Sequence, residues 1–309
     1  MKTSMTYLSV IALTGALTAC GGGGSDVGST GSVSVGVTDA PAMEFTNVTV
    51  SFIGISLKPV DGDWVKFTFD EPKAWNLLDL QGGLSEPLIT DEEVPAGQYS
   101  ELRLLVNTAD SFVVLKDQPD VEASLAVPSG ESSGLKLKGD FFVAADTSTG
   151  FTVDFDVRKS IVNPTGESLA DYLLKPSLRL VNNLQVGAIE GEVDYVTIQQ
   201  TRSSDDALAN CSADYAGAVY IYRGADVTPT DINVTTEGGP LLAIPVADLD
   251  NDGLYNYTAA FLPADDYTLS YSCQLDDNEL DDALEFEGTQ NVTVIASTTT
   301  EANAIPLVP

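Results

Sequence analysis

The chain has 309 residues, too many for one ordinary hydrophobic core and enough for two domains of common size. It carries 46 Asp and Glu against 14 Lys and Arg, a formal net charge of −32, and so strong a negative charge disfavours nucleic acid as a partner. It contains no His, which excludes Ser-His-Asp and Cys-His catalysis and His-containing zinc sites and leaves only carboxylates, Tyr or Lys for any chemistry.

The first 19 residues are typical of an export signal. A Lys near the start precedes an apolar run from Tyr7 to Ala19. The run is shorter than the roughly 20 residues that a membrane-spanning helix needs, and GGGGS follows it at once. We therefore expect a cleaved signal over residues 1–19 and no permanent transmembrane helix.

The letters LTAC, residues 17–20, resemble the lipobox of bacterial lipoproteins. The resemblance implies lipid attachment at Cys20, with residues 20–31 as a flexible Gly/Ser tether to the membrane. Gly21, where Asp commonly retains lipoproteins in the inner membrane, implies the outer membrane of a Gram-negative-type bacterium. An ordinary cleaved signal followed by a stray Cys is the alternative.

Residues 32–184 contain many short stretches in which apolar and polar residues alternate. Val33, Val35 and Val37 alternate with Ser and Gly, and segments such as WVKFTF, DSFVVL and FTVDFDV repeat the pattern between turns rich in Gly, Pro and Asp. This alternation predicts an antiparallel β-sandwich or barrel, of which we take the sandwich as the expected domain fold.

The phrase EVPAGQYSELRLLV, residues 93–106, has an echo in LPADDYTLSYSC, residues 262–273. Each phrase places Pro and small or turn-forming residues immediately before an alternating run that contains Tyr. We interpret both as turns that lead into a strand, one in each of two separate domains.

Six motifs in order carry a resemblance over residues 32–182. They are VSVGVTDAPA, NLLDLQGG, EVPAGQYSELRL, LKLKGDF, DFDVRKSI and LLKPSLRLV, and together they resemble the bacterial domain of unknown function 4382. The resemblance implies an exported, often lipid-anchored β-protein, and it implies no activity.

Polar residues in this first domain are open to two interpretations. Asp154, Asp156 and Arg158 are predicted to share one face of a strand, where they could bind a ligand or form ion pairs on a solvated sheet. The ion-pair interpretation is the simpler one. Of the two tryptophans, Trp75 is expected to close the core and Trp64 to be exposed, where its ring could stack on a sugar.

Residues 187–309 form a second alternating region that is strongly acidic, with 22 Asp and Glu against Arg202 and Arg223. In YTLSYSC, Cys273 falls on the inward face, and Cys211 is its available partner. A bridge between them would close a loop of about 60 residues and contribute about 4 kcal/mol. Two reduced thiols are the alternative, which the oxidising environment of an exported chain disfavours.

The letters DLDNDGLYNYTAAFLPADDYTLSYSC are similar to carboxypeptidase-regulatory-like, transthyretin-like repeats. Asp265 stands where those repeats usually have Gly. The combined expectation is an all-β fold with two antiparallel β-sandwich domains, immunoglobulin-like or transthyretin-like.

Asp248, Asp250 and Asp252 fit the start of a calcium loop, in which alternate carboxylates converge on a hard cation. The twelfth position is Ala259 instead of Glu, and a strand follows, so an EF-hand is excluded. A looser calcium site and a plain Asp-Gly hairpin both remain open.

Three functions fit these features. The first is a non-catalytic, lipid-anchored envelope protein whose sandwiches bind other molecules or serve as structural modules, with protein or glycan partners. The second is a carbohydrate-binding accessory protein that uses Tyr220, Tyr222, Tyr255 and Tyr257. The third is a hydrolase in which Asp154 and Asp156 act as acid and base.

Overall fold

The computed structural model describes residues 29–40, 45–128, 132–164, 170–175, 177–202, 211–212, 215–233, 238–248, 250–277 and 280–306. This part of the chain is 56% strand and 7% helix, which confirms the all-β prediction. The strands fall into two groups, each around its own hydrophobic core.

The first group, here the first sandwich, contains twelve strands and one short helix. They are β1 (Thr30–Ala40), β2 (Phe45–Pro59), β3 (Val65–Asn76), β4 (Glu86–Pro95), β5 (Gly97–Val106), β6 (Phe112–Leu115), β7 (Ala123–Ala126), β8 (Leu135–Val143), β9 (Ser148–Asp156), α1 (Val157–Ser160), β10 (Ile161–Val162), β11 (Tyr172–Leu174) and β12 (Leu178–Asn182). One sheet has the order β12-β9-β1-β4, and the larger has the order β10-β11-β7-β6-β2-β5-β8, with β3 paired to β2.

The pairing in the first sandwich is mixed, so the prediction of purely antiparallel sheets was wrong in this respect. β1 runs antiparallel to β4 but parallel to β9 over nine residue pairs, from Ser32 opposite Ser148 to Ala40 opposite Asp156. Alternation within one strand reports which face is buried and contains no information about the direction of its neighbour.

The core of the first sandwich follows the predicted alternation. Val33, Val35 and Val37 are fully buried while the residues between them are partly exposed. Phe52 from β2 packs against Phe155 from β9, with ring centroids 6.0 Å apart, so the two sheets meet face to face.

The second group, here the second sandwich, contains seven strands and one helix. They are β13 (Val186–Val193), α2 (Tyr195–Thr201), β14 (Ala218–Arg223), β15 (Leu242–Pro245), β16 (Tyr255–Pro263), β17 (Asp266–Ser272), β18 (Glu287–Thr293) and β19 (Thr299–Glu301). Its sheets have the orders β16-β13-β19 and β15-β14-β17-β18. β13 and β19 are parallel and the other pairs are antiparallel.

β14 is buried on both faces. Val219 and Ile221 enter the core between the sheets, whereas Tyr220 and Tyr222 enter a separate cluster on the outer face with Ile232. Later segments of the chain, among them Leu284 and Phe286, cover this outer face.

The predicted disulfide between Cys211 and Cys273 is present. Cys273 follows β17, is 3% exposed and belongs to the core of the second sandwich, as its place on the inward face predicted. The bridge ties residue 211 to that core across 62 positions of sequence.

The two echoing phrases form the same local structure. Tyr99 donates a hydrogen bond from its hydroxyl to the carbonyl oxygen of Pro95 at 2.7 Å, and Tyr267 donates one to Pro263 at 2.9 Å. Both tyrosines are fully buried, and each follows a turn between two consecutive strands. The Pro carbonyl four residues earlier thus fixes each turn, a bond that the sequence pattern did not reveal.

We expect Tyr99→Phe and Tyr267→Phe each to lower the free energy of unfolding by about 1 kcal/mol, because each leaves a Pro carbonyl without its donor while keeping the ring. Denaturant unfolding measures both. Tyr255→Phe is the matched control, because the Tyr255 ring is only partly buried. An unchanged stability in both test variants would contradict the role given to the bonds.

Candidate functional site

The end of β9 directs charged residues toward the second sandwich. α1 begins where β9 ends, because the Asp156 carboxylate accepts a hydrogen bond from the Lys159 amide at 3.3 Å. The Asp39 carboxylate at the end of β1 accepts one from the Val157 amide, also at 3.3 Å. This short helix turns Arg158 out of the line of the strand.

Arg158 crosses to the second sandwich and is 3% exposed. Its Nη2 lies 3.9 Å from Oδ2 of Asp276. The same Oδ2 accepts hydrogen bonds from the Tyr220 hydroxyl at 2.8 Å and from the Ile232 amide at 3.1 Å. We call Arg158, Asp276 and Tyr220 the junction.

The junction places ionisable groups where they are shielded from water. Burial raises the pKa of Asp276 above its ordinary value, although the Ile232 amide, the Tyr220 hydroxyl and the Arg158 charge all favour its ionised form. Burial, with the adjacent Asp276 charge, also raises the pKa of the Tyr220 hydroxyl, which therefore stays protonated and donates. Lys159 adds a bond to the Pro240 carbonyl at 3.3 Å on the same side.

Asp154 lies on β9, four residues before Arg158. Arg179, its register partner on β12, donates from Nε to Oδ2 at 2.9 Å. Burial raises the pKa of the Asp154 carboxyl, and Arg179 partly offsets that effect. The cavity at Asp154 measures about 20 Å³, closed on the other side by residues such as Leu242 and Phe261. It can hold one water molecule and no sugar ring.

The predicted common face is therefore wrong for Arg158, which lies in α1, whereas Asp154 and Asp156 are alternate residues of β9 as predicted. Asp154 pairs with Arg179, Asp156 caps α1, and Arg158 leaves the strand altogether. The period of two ends at Asp156 because the chain becomes helical there. For Asp154, the simpler expectation of a cross-strand ion pair describes the contact that the structure contains.

The two tryptophans have different environments. Trp75 packs against the first core, with its ring centroid 6.0 Å from that of Phe52. Trp64 is only partly exposed, and the Arg103 guanidinium lies 4.1 Å from the centre of its ring. One face of Trp64 is thus covered, which leaves less of the ring for a sugar than we expected.

The tyrosines proposed as a sugar platform are core residues. Tyr220, Tyr222 and Tyr257 are 0%, 1% and 3% exposed, and Tyr255 packs edge-on against Tyr195. Their alternation is correct, but the face opposite the main core is itself covered. The assignment of Tyr220, Tyr222 and Tyr257 to glycan binding was wrong, and Tyr255 alone, partly buried against Tyr195, does not form the predicted platform.

The acidic loop before β16 brings three carboxylates together. Oxygen atoms of Asp248, Asp250 and Asp252 lie within 4.8 Å of one another. Asp248 also accepts hydrogen bonds from the amides of Asp252 and Gly253, each at 3.1 Å, as a hairpin turn requires. The geometry is compatible with both sequence interpretations.

Sequence reasoning did not identify Asp276 or Tyr220 as partners of Arg158. No local pattern signals the contact, because 118 positions separate Arg158 from Asp276 in the printed sequence. Cys20 and the predicted signal lie outside the described residues. Within the described ranges, no helix is long and apolar enough to cross a membrane.

Residues 30–176 match the family model described as a domain of unknown function, DUF4382. The match confirms the resemblance carried by the six motifs. No curated protein matches the chain.

Three solved structures give weak similarities. A leucine-rich repeat protein from Bacteroides thetaiotaomicron is 12% identical, with 90% of this chain and 26% of that chain covered and a TM-score of 0.21. The Bacillus anthracis TIE protein is 8% identical, with coverages of 89% and 34% and a TM-score of 0.19. The minor pilin of Streptococcus agalactiae is 11% identical, with coverages of 90% and 99% and a TM-score of 0.19. The chain spans about a quarter and a third of the first two, and similarity at this level establishes neither fold nor function.

We expect Arg158→Met to lower the free energy of unfolding by about 3 kcal/mol, because it leaves a buried Asp276 carboxylate without its opposite charge. Lys159→Met is the control, since it removes the same charge from a partly exposed side chain of the same helix and should cost less than about 1 kcal/mol.

A double-mutant cycle separates the ion pair from packing. If the two charges interact, Arg158→Met costs less in the Asp276→Asn background than in the wild type. Equal costs in both backgrounds would show that Arg158 contributes only its packing.

Proposed function

We propose that the chain is a non-catalytic, lipid-anchored cell-envelope protein whose two joined β-sandwiches present a binding surface at the outer membrane. One observation carries the non-catalytic part of this proposal. The carboxylates best placed for acid and base chemistry, Asp154 and Asp156, are engaged by Arg179 and Lys159, and the cavity beside Asp154 admits no substrate.

The anchoring part rests on residues 1–31. The lipobox resemblance at residues 17–20 assigns the lipid to Cys20, and Gly21 favours passage to the outer membrane. Residues 21–28 would connect that lipid to the first described strand.

The junction supports a role in which both sandwiches act together. The buried Arg158–Asp276 ion pair joins α1 to the second sandwich, and two hydrogen bonds within the second sandwich hold the Asp276 carboxylate in place, so a partner that binds one sandwich lies close to the other. The tyrosines that the carbohydrate-binding hypothesis depends on lie mostly in the core. We therefore favour a protein partner over a glycan.

We expect Cys20→Ser to move the exported chain from the membrane fraction to the soluble fraction, because a serine hydroxyl does not receive the lipid. Ser25→Ala, in the tether, is the control and should remain membrane-bound. Gly21→Asp should shift the chain from the outer to the inner membrane on a density gradient. Membrane association that survives Cys20→Ser would rule out the lipid anchor.

Calcium binding at the acidic loop is a second, separable proposal. Ligands of one calcium ion lie about 2.4 Å from it, so no two of them are more than about 4.8 Å apart. The carboxylate oxygens of Asp248, Asp250 and Asp252 meet this limit. Backbone carbonyls and water would have to supply the other ligands.

We expect calcium to raise the unfolding temperature relative to chelator and Asp250→Asn to abolish that rise, because binding to the folded state alone stabilises it. Glu190→Gln is the matched control, because it neutralises an exposed carboxylate on β13 without touching the loop. An equal calcium response in both variants would reduce the loop to a hairpin turn.

A further inference from the structure

The first sandwich is open along one side. β8 ends the larger sheet and pairs only with β5, and β12 ends the smaller sheet and pairs only with β9 among the described strands. The two edges border one groove of about 890 Å³. Each edge offers backbone groups that no strand in the described part of the chain pairs.

The groove has an apolar floor and a basic margin. Side chains between the sheets form the floor, and residues that point away from the core form the margin. The floor contains Leu137, Phe141, Phe151, Leu178 and Leu180, and the margin contains Lys136, Lys138 and Asn182, with one acidic residue, Asp140, beyond the two lysines. This combination of apolar and charged side chains favours a peptide over a lipid chain as the occupant.

Lys136 and Lys138 are unusual in so acidic a chain. Both are exposed, and neither forms an ion pair with any described residue. Glu101 lies opposite Lys138 on β5, but its carboxylate binds Arg103 at 2.7 Å. Two of the 14 basic residues therefore face this groove without an acidic partner in the described structure.

The geometry of β8 specifies what would bind. Residues two apart on a strand lie on the same face about 6.7 Å apart, and an added strand repeats that spacing. An added strand that places carboxylates opposite Lys136 and Lys138 must therefore have one residue between them. The side chain of that residue points to the other face of the strand, toward the floor beside Leu137. A register shift at Gly139 and Asp140 limits the straight edge to Leu135–Lys138.

We propose that the groove binds an extended acidic segment of a partner protein as an added β-strand along β8, with the pattern acid, apolar, acid. The carboxylates pair with Lys136 and Lys138, and the apolar residue enters the groove. This inference rests on the proposed envelope function and names the chemistry of its partner. Edge lysines can instead serve only to keep strands apart, and the experiment separates these roles.

The test uses the full-length chain in detergent and labelled peptides, with binding followed by fluorescence anisotropy. The probe is Thr-Glu-Val-Glu-Val-Thr. A second peptide replaces both glutamates with Lys, and a third replaces the central Val with Pro, which removes a backbone donor and keeps the charge. We expect saturable binding of the first peptide only.

The paired variant Lys136→Glu/Lys138→Glu should weaken that binding at least about tenfold, as the loss of two ion pairs allows. Lys66→Glu/Lys116→Glu makes the same change of charge elsewhere in the first sandwich and should bind as the wild type does. Circular dichroism checks that both variants fold. Hydrogen exchange should slow at the amides of β8 when the peptide binds.

Three results would overturn the proposal: no binding of the glutamate peptide, equal binding of the proline peptide, or equal loss in both paired variants. Self-association of the chain that disappears in Lys136→Glu/Lys138→Glu would also overturn it, because a second copy would then be the occupant. The Cys20→Ser fractionation is independent of all four outcomes. The anchoring proposal is therefore unaffected if the groove does not bind the peptide.

Discussion

A guanidinium that leaves water needs an opposite charge and acceptors around it, or the fold pays for an isolated charge. Arg158 is withdrawn from water at the contact between the two sandwiches, where Asp276 of the second sandwich supplies the opposite charge, 3.9 Å from Nη2. Asp276 is in turn held by hydrogen bonds from the Tyr220 hydroxyl and the Ile232 amide. The Tyr220 ring is itself fixed by edge-on packing against Phe286. One charge thus determines how several elements of both sandwiches fit together.

The junction favours a particular arrangement more than it adds stability. Because burial raises the pKa of Asp276, that carboxyl stabilises the fold in its protonated form at acid pH, and this contribution is lost as the pH rises through the raised pKa. At neutral pH the Arg158 charge offsets a penalty, so the pair is a weak source of net stability. What it supplies is specificity, because a packing of the sandwiches that buried one of these charges without the other would leave that charge unpaired.

The alternation of apolar and polar residues predicted which side chains of a strand are buried. The alternation at Val33, Val35 and Val37 predicted the buried face of β1. The position of Cys273 in its alternating segment predicted that its side chain points into the core, and Cys211 was its predicted disulfide partner. The parallel pairing of β1 with β9, the helical turn that redirects Arg158, and the cover over Tyr220 depend on residues far away in sequence. Alternation looks the same whether the second face of a strand meets water or a second cluster, so β14 could not be distinguished from a strand with one exposed face.

The connection between the sandwiches explains why the junction matters for binding. A single covalent linker would let the second sandwich swivel, but here the linker is itself a turn in which the Gln185 amide bonds the Asn182 carbonyl at 2.8 Å. The Gln185 carbonyl then accepts from Ala264 at 3.1 Å, which ties the linker to the second sandwich. Arg158 supplies a second attachment, and two attachments leave rotation only about the line that joins them. Gln185 also lines the groove, so a strand bound beside β8 would lie against the linker whose turn and bond to Ala264 restrict the motion of the second sandwich.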